Sequence, residues 1–291
     1  MRRPRFFISM VLLLVCLFPS DSVVPAPSSD APAKDRRIRV VTYNVGGQPG
    51  ESAGELRRIA PVDVIGRSHP DLVFLQECRK EDANSLKIDL RMAHGLFIPY
   101  QGKGKAGFAV LSKYPLQQRD VHFFESSPNG LGFVLCDAAV HGRTVRLANI
   151  HLDRIQRIQT KEAMPNISWK TALDVVIQEL SSETPRCAQV ALLLDRLSAS
   201  DLNPVILAGD FNTIPFGTAV RKVHGRFQDA LWPSLNFFSP TYKDLGFPLK
   251  PRIDYIFHSP AISTEASGII RLGSGDHFPV WAELVLNPGH V

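Results

Sequence analysis

Short runs of β-branched and other apolar residues recur along the chain, and several stop abruptly at polar side chains. Ile38 to Tyr43 runs into Asn44, Asp71 to Leu75 into Gln76 and Glu77, and Val145 to Ile150 into His151. Val205 to Ala208 runs into Gly209, Asp210, Phe211 and Asn212. Their length and composition predict strands, so the polar groups fall at strand ends and in the loops just beyond. Ala106 to Leu111, Gly132 to Val140, Ile253 to Phe257 and Pro279 to Leu286 predict four more. Helical spacing is clearest from Ala188 to Ser198, where Val190, Leu193, Leu194 and Leu197 recur on one face. Further helices are expected at Gly54 to Ser68 and Ala83 to His94. Leu152 to Arg186 reads as a loop plus a helix that covers one side of the polar rim.

Strands and helices mix here without strict alternation, which predicts layered sheets with helices outside and does not suggest a TIM barrel or a dinucleotide-binding fold. No repeat, EF-hand loop, GxxxxGK, CxxC or HExxH pattern is present. With 291 residues, 44% hydrophobic and 21% charged, the chain can bury one large core.

The start departs from this pattern. Arg2, Arg3 and Arg5 precede an apolar run from Phe7 to Phe18, too short to span a bilayer comfortably, and a Pro, Ala and Ser-rich stretch follows to Lys34. Residues 1–33 are therefore expected to be a signal peptide and flexible tether, and 34–291 the folded domain. The expected destination is outside the cytoplasm, secreted or in the cell envelope, with an uncleaved N-terminal anchor as the other outcome. Three of the positive charges lie in that leader, offset there by Asp21 and Asp30, and the domain is mildly basic. That admits a polyanion or an anionic membrane without selecting either. Beyond the leader, Cys78, Cys136 and Cys187 match no zinc spacing. Export permits one disulfide, Cys136 with Cys187 being the candidate pair, but inert buried thiols are the expected state. Asn166-Ile167-Ser168 is an N-glycosylation pattern, meaningful only where the export route supports it.

Glu77, at the end of an apolar strand, is a carboxylate that a divalent cation would compensate, and hard oxygen donors suit Mg²⁺, with Mn²⁺ or Ca²⁺ as alternatives. Taken alone, Glu77 and Asn44 also read as an ordinary loop charge and a strand-end turn. Asp210 and Asn212 alternate around Phe211 and can face one side, Asp210 to orient or deprotonate water and Asn212 to hold water, metal or phosphate oxygen. Asp254 sits in another apolar alternation, and Asp276-His277 precedes a strand. Of nine histidines, His151 and His277 stand at strand junctions and accompany these acidic segments.

Read together, Thr42-Tyr43-Asn44, Leu75-Gln76-Glu77, Asn149-Ile150-His151-Leu152, Gly209-Asp210-Phe211-Asn212, Arg252 to Ile256 and Gly275 to Val280 resemble, in order, the endonuclease/exonuclease/phosphatase superfamily and its DNase I-like branch. The resemblance spans about Ile38 to Leu286. It implies an α/β four-layer sandwich, two mixed β-sheets between helical layers, with the active site at one end. It also implies that Glu77 is the principal metal carboxylate, with Asn44 and Asp276 contributing directly or through water. Asp210 and Asn212 would face the scissile phosphate, His151 would contact its oxygens or aid the leaving group, and Asp254 would orient His277. Water would attack phosphorus in line, activated by Asp210 or by the Asp254–His277 pair.

One departure concerns the strand near Lys105 to Val110, where DNase I-like nucleases often carry a Tyr and a Glu, the Glu supporting the first histidine. Both are missing here, which puts mechanistic identity with DNase I in doubt and leaves Lys103 or Lys105 as a substitute phosphate contact or an ordinary solvated hairpin. The expected activity is a phosphodiesterase on nucleic acid or membrane phospholipid, with no obligate protein partner. A phosphomonoesterase acting on a sugar or inositol phosphate, and a non-catalytic module that only binds phosphate ligands, are the alternatives.

Overall fold

The computed structural model describes residues 36–46, 60–102, 104–125, 127, 130–155, 168–198, 203–232, 234, 238–243, 250–273 and 275–288. The expected leader and tether at 1–33, the first part of the Gly54 to Ser68 helix, Lys103 and Asn166 lie outside them.

The apolar runs become two six-stranded mixed sheets. The first contains β1 (Arg37–Asn44), β2 (Leu72–Arg79), β3 (His94–Pro99), β4 (Ala106–Ser112), β11 (Ile262–Ile269) and β12 (Val280–Leu286), in the order β11, β12, β1, β2, β4, β3. The second contains β5 (Leu116–Phe123), β6 (Gly132–Val140), β7 (Arg143–His151), β8 (Val205–Asp210), β9 (Gln228–Asp229) and β10 (Asp254–His258), in the order β5, β6, β7, β8, β10, β9. At the heart of each lies one parallel pair, β1 with β2 and β7 with β8, flanked by antiparallel neighbours.

Alternation along the strands divides the core into layers. Ile38, Val40, Leu72 and Phe74 meet Val145, Leu147, Ile206 and Ala208 between the sheets. On the outer face of the first sheet, Val41, Tyr43, Val73 and Leu75 pack against helices α1 (Pro61–Gly66) and α2 (Lys80–Asp89). Two more helices cover the other outer face. After helix α3 (Trp169–Ser181), α4 (Pro185–Ser198) presents Cys187, Val190, Leu193 and Leu197, and α5 (Thr218–His224) presents Ala219, Val220 and Val223. The result is the expected sandwich of helices, sheet, sheet and helices.

Towards one end the inter-sheet filling turns polar. Gln76 donates to Asn149 Oδ1 at 2.7 Å and to Thr42 Oγ1 at 3.2 Å, while Asn149 donates to the carbonyls of Leu75 and Ala109, both at 3.0 Å. All three side chains are buried. Because every buried amide needs its partners, this layer fixes the spacing and register of the two sheets just below the site.

Two expectations are corrected. The helix expected at Ala83 to His94 runs Lys80–Asp89, and His94 opens β3 instead. Strands β3, β5, β9 and β11 and the short helix α5 were not expected.

Candidate active site

Register places the polar residues. His151 on β7 pairs with Asp210 on β8, and Asp210 pairs with Asp254 on β10, so three functional side chains stand side by side at one level. Across the gap, β1 ends at Asn44, paired with Gln76. Gly209 is demanded by this packing: its φ is +150°, and an added Cβ would lie 2.0 Å from the Ile150 carbonyl oxygen.

Simple alternation would send Glu77 to the face opposite Gln76. The ladder between β2 and β4 instead slips between Leu75 and Cys78, and Glu77 takes φ +54°, so its carboxylate reaches the site. Arg154 Nη2 reaches Glu77 Oε1 at 3.0 Å, and Asn44 Nδ2 lies 3.3 Å from the same oxygen.

Asp210 Oδ2 is the focus. Asn44 Nδ2 donates to it at 3.0 Å, His151 Nε2 lies 3.4 Å away and His277 Nε2 3.7 Å. The other oxygen of Asp210 accepts from the Asn212 backbone N–H at 2.9 Å. Asn212, at φ +46°, spends an amide N–H on the Leu152 carbonyl. Asp254 holds His277 Nδ1 at 2.9 and 3.1 Å, and its backbone N–H donates to the Thr241 hydroxyl oxygen at 3.1 Å. All eight residues singled out from the sequence therefore stand at the same end of the sandwich. Asn44 stands there as a donor to two carboxylates, its oxygen occupied by the Gly46 N–H at 3.0 Å.

The electrostatics follow from burial and neighbours. Burial pulls the His277 imidazole down, but the Asp254 and Asp210 carboxylates outweigh it and raise its pKa to about 10. Burial pushes Asp210 up, yet the His277 charge, the nearby His151 imidazole and the Asn44 amide hold it well below the usual carboxylate range. Asp254 is raised, by burial and by Asp210. For Glu77, burial is outweighed by His151, Arg154 and Asn44, and its pKa falls.

Asp210, Asp254 and His277 offer three ligand atoms within 4.8 Å of one another, the chemistry of a divalent-metal site. The cluster carries its own cation, however, because protonated His277 lies between the two carboxylates. Asp276 is different. Its Oδ1 is buried with no hydrogen-bond partner among the described residues, and burial and the Glu77 charge raise its pKa. Oxygen donors from Glu77 and Asp276 thus fit a hard cation better than the group around His277 does.

Two residues escaped the sequence reading. Tyr100, just past β3, places its hydroxyl 2.9 Å from His151 Nδ1 and accepts the Glu77 N–H at 3.0 Å. It supports His151 from the end of β3, where the resemblance gives DNase I-like nucleases a glutamate on the neighbouring strand that this sequence lacks; a lone tyrosine after an edge strand carries no sequence signal. Arg154 lies in a stretch read only as polar. Together with Glu77, His151, Tyr100, Gly102, Gly104 and Ala106 it bounds a cleft of about 260 Å³. Lys105 is exposed next to Gly104 and Ala106. Cys78, Cys136 and Cys187 are buried free thiols, without the candidate disulfide, and burial pushes Cys78 and Cys136 up to about 12, far from reactive.

The Endonuclease/Exonuclease/phosphatase family model matches residues 41–277. No curated protein matches the chain. Among solved structures, an endonuclease/exonuclease/phosphatase from Beutenbergia cavernae is similar at 19% identity and a TM-score of 0.61, over 87% of this chain and 72% of that one. A family protein from Bacteroides thetaiotaomicron gives 19% and 0.60, over 87% and 98%. Truncated TDP2 from Caenorhabditis elegans gives 18% and 0.58, over 86% and 97%.

Proposed function

Since the chain belongs to the Endonuclease/Exonuclease/phosphatase family and is a metal-dependent phosphoric ester hydrolase, we propose that it is an exported Mg²⁺-dependent phosphodiesterase acting on nucleic acid or phospholipid. The observation that carries this reading is the convergence on Asp210 Oδ2 of Asn44, His151 and His277, with Glu77 and Asp276 beside them.

Mg²⁺ held by Glu77 and Asp276 would draw electrons from a phosphate oxygen and neutralise the charge that develops there. The chain's own groups divide the remaining work. His277 keeps its proton at neutral pH, so it donates to the phosphate and does not remove a proton from water. Asp210, kept ionised, orients the attacking water and accepts its proton. Asn44 holds the Glu77 and Asp210 carboxylates at one spacing. His151 presents Nε2 between Asp210 and Glu77, 3.4 and 3.9 Å from their oxygens, where it reaches a phosphate oxygen or the leaving group.

A large substrate is favoured by an aromatic cluster in which Phe216, on the loop following Asn212, meets two rings from the segment after β9. Phe216 meets Trp232 at 6.1 Å and Phe238 at 6.0 Å, and both partners are more than half exposed. Such rings suit a nucleobase face or the glycerol and acyl boundary of a lipid better than a sugar phosphate. Export is supported by the basic and apolar start of the chain.

The test is a product-resolved assay with Mg²⁺ against DNA, RNA, phospholipid vesicles and phosphomonoesters. A nuclease cleaves polymers in a salt-sensitive way, whereas a lipid enzyme depends on vesicle presentation. Release of phosphate from monoesters alone, or binding without product, overturns the proposal. In the same assay Glu77→Gln should raise the Mg²⁺ concentration needed, and Asp210→Asn should lower turnover by about 100-fold or more. Unchanged kinetics at limiting Mg²⁺ would remove Glu77 from the metal.

A further inference from the structure

We infer that Tyr100 is a positioning residue that locks His151 in the tautomer carrying its proton on Nε2, making this histidine a hydrogen-bond donor and not a base. The inference rests on the phosphodiesterase reading for its role in turnover, and on hydrogen-bond accounting for the tautomer itself.

A phenol has one proton to give and two lone pairs to receive. One lone pair of Tyr100 is taken by the Glu77 N–H at 3.0 Å. Among the described residues the remaining polar contact of the hydroxyl is His151 Nδ1 at 2.9 Å, so the phenolic proton finds an acceptor only when Nδ1 is the bare nitrogen. The far side of the ring gives the same answer independently. Nε2 faces Asp210 Oδ2 at 3.4 Å and Glu77 Oε1 at 3.9 Å, both acceptors only, and it is buried without an aligned hydrogen bond. A lone pair turned towards two carboxylates would be repelled, whereas an N–H is held between them.

The consequence is a reversal of roles. A glutamate supporting His151 would take the Nδ1 proton and leave Nε2 able to accept or, when charged, to lose a proton. Tyrosine gives a proton where glutamate would take one. Nε2–H is then a fixed donor aimed between Asp210 and Glu77, and proton removal from water is left to Asp210. The Tyr100 ring is itself fixed, edge-on to Phe108 with centroids 4.9 Å apart, and its backbone N–H is tied to the Ala106 carbonyl.

Tyr100→Phe removes only the hydroxyl and keeps the ring against Phe108. Nitrogen-15 NMR of the imidazoles, without substrate or metal, should show wild-type His151 bare at Nδ1 and protonated at Nε2 at neutral pH, and both tautomers in Tyr100→Phe. A proton on Nδ1 in the wild type, with Nε2 bare or also protonated, overturns the inference. In the assay identified above, Tyr100→Phe should lower kcat by about 10-fold or more with KM within about two-fold, and retained kcat also overturns it. Because Tyr100 also touches the Glu77 backbone, a double-mutant cycle separates the routes. In a His151→Ala background the hydroxyl should make no further difference, and a full additive loss would mean that it acts through Glu77. Should no phosphodiester be cleaved by the wild type, the functional reading fails while the NMR result still decides the tautomer.

Discussion

Glu77 reaches the site through a backbone irregularity that ordinary residues resist, a left-handed φ of +54° in a bulged strand. The room it occupies is left by Gly46, where an added Cβ would lie 2.0 Å from Glu77 Oε2. Two of the three clashing atoms are the end of a flexible side chain and the third, Glu77 Cβ, lies at 2.9 Å, so the fold can yield by moving the carboxylate with a small backbone shift. Gly46→Ala is therefore expected to keep its unfolding midpoint within a few degrees while the apparent Mg²⁺ affinity falls about 10-fold. Calorimetric titration with Mg²⁺ checks this, and wild-type affinity would show that the carboxylate has room elsewhere. At this scale Asn44, Glu77, His151, Asp210, Asn212, Asp254, Asp276 and His277 were legible because each interrupts or ends an apolar run. Their pairing was not, because register and the bulge are properties of two strands together. Tyr100 and Arg154 were invisible for the same reason: only spatial neighbours give them meaning.

Among the elements, legibility tracks burial. The eight strands expected from the apolar runs are β1, β2, β4, β6, β7, β8, β10 and β12, the inner strands of both sheets. The four that escaped, β3, β5, β9 and β11, are the four edges. An edge strand has one neighbour and a more solvated surface, so Leu116 to Phe123 and Ile262 to Ile269 can be largely polar and still pair. Helix α4 was legible from its apolar stripe, but its polar positions tie the site loops. Buried Arg186 pairs with buried Glu179 of α3 and donates to the carbonyls of Asp153 and Arg154, while Glu179 accepts from Thr213 at 2.6 Å. Breaking a buried pair costs about 3–5 kcal/mol, whereas replacing both members by apolar side chains is often neutral. Arg186→Met alone should thus lose stability on that scale, and Glu179→Met with Arg186→Met should recover most of it. Turnover should stay low in both, since the loops bearing Arg154 and Asn212 are released together. Urea unfolding beside kcat separates the effects, and full activity in the double variant would reduce the ion pair to packing.

The whole molecule sets the two sheets against each other with the same ladder, a parallel pair between antiparallel neighbours, although no repeat is legible in the sequence. Matching topology needs matching polarity along the strands, not matching residues. Its cost is a concentration of charge where the two pairs end, and the pH dependence of stability should report how that charge is balanced. His277 has its folded pKa raised to about 10. Its contribution is fully present below its unfolded value near 6.5 and is lost as pH rises through about 10. On the acid side the signals oppose one another. Lowered Asp210 loses its contribution as pH falls, and raised Asp254 gains, so the alkaline limb is the diagnostic one. Between pH 7 and 10, with chelator present to exclude metal, wild-type stability should fall more steeply than that of His277→Gln. Comparing slopes removes groups common to both proteins, among them Lys243, whose pKa burial lowers. Parallel slopes in denaturant titrations would mean that the native imidazole is neutral, and proton removal from water would then return to the Asp254–His277 pair.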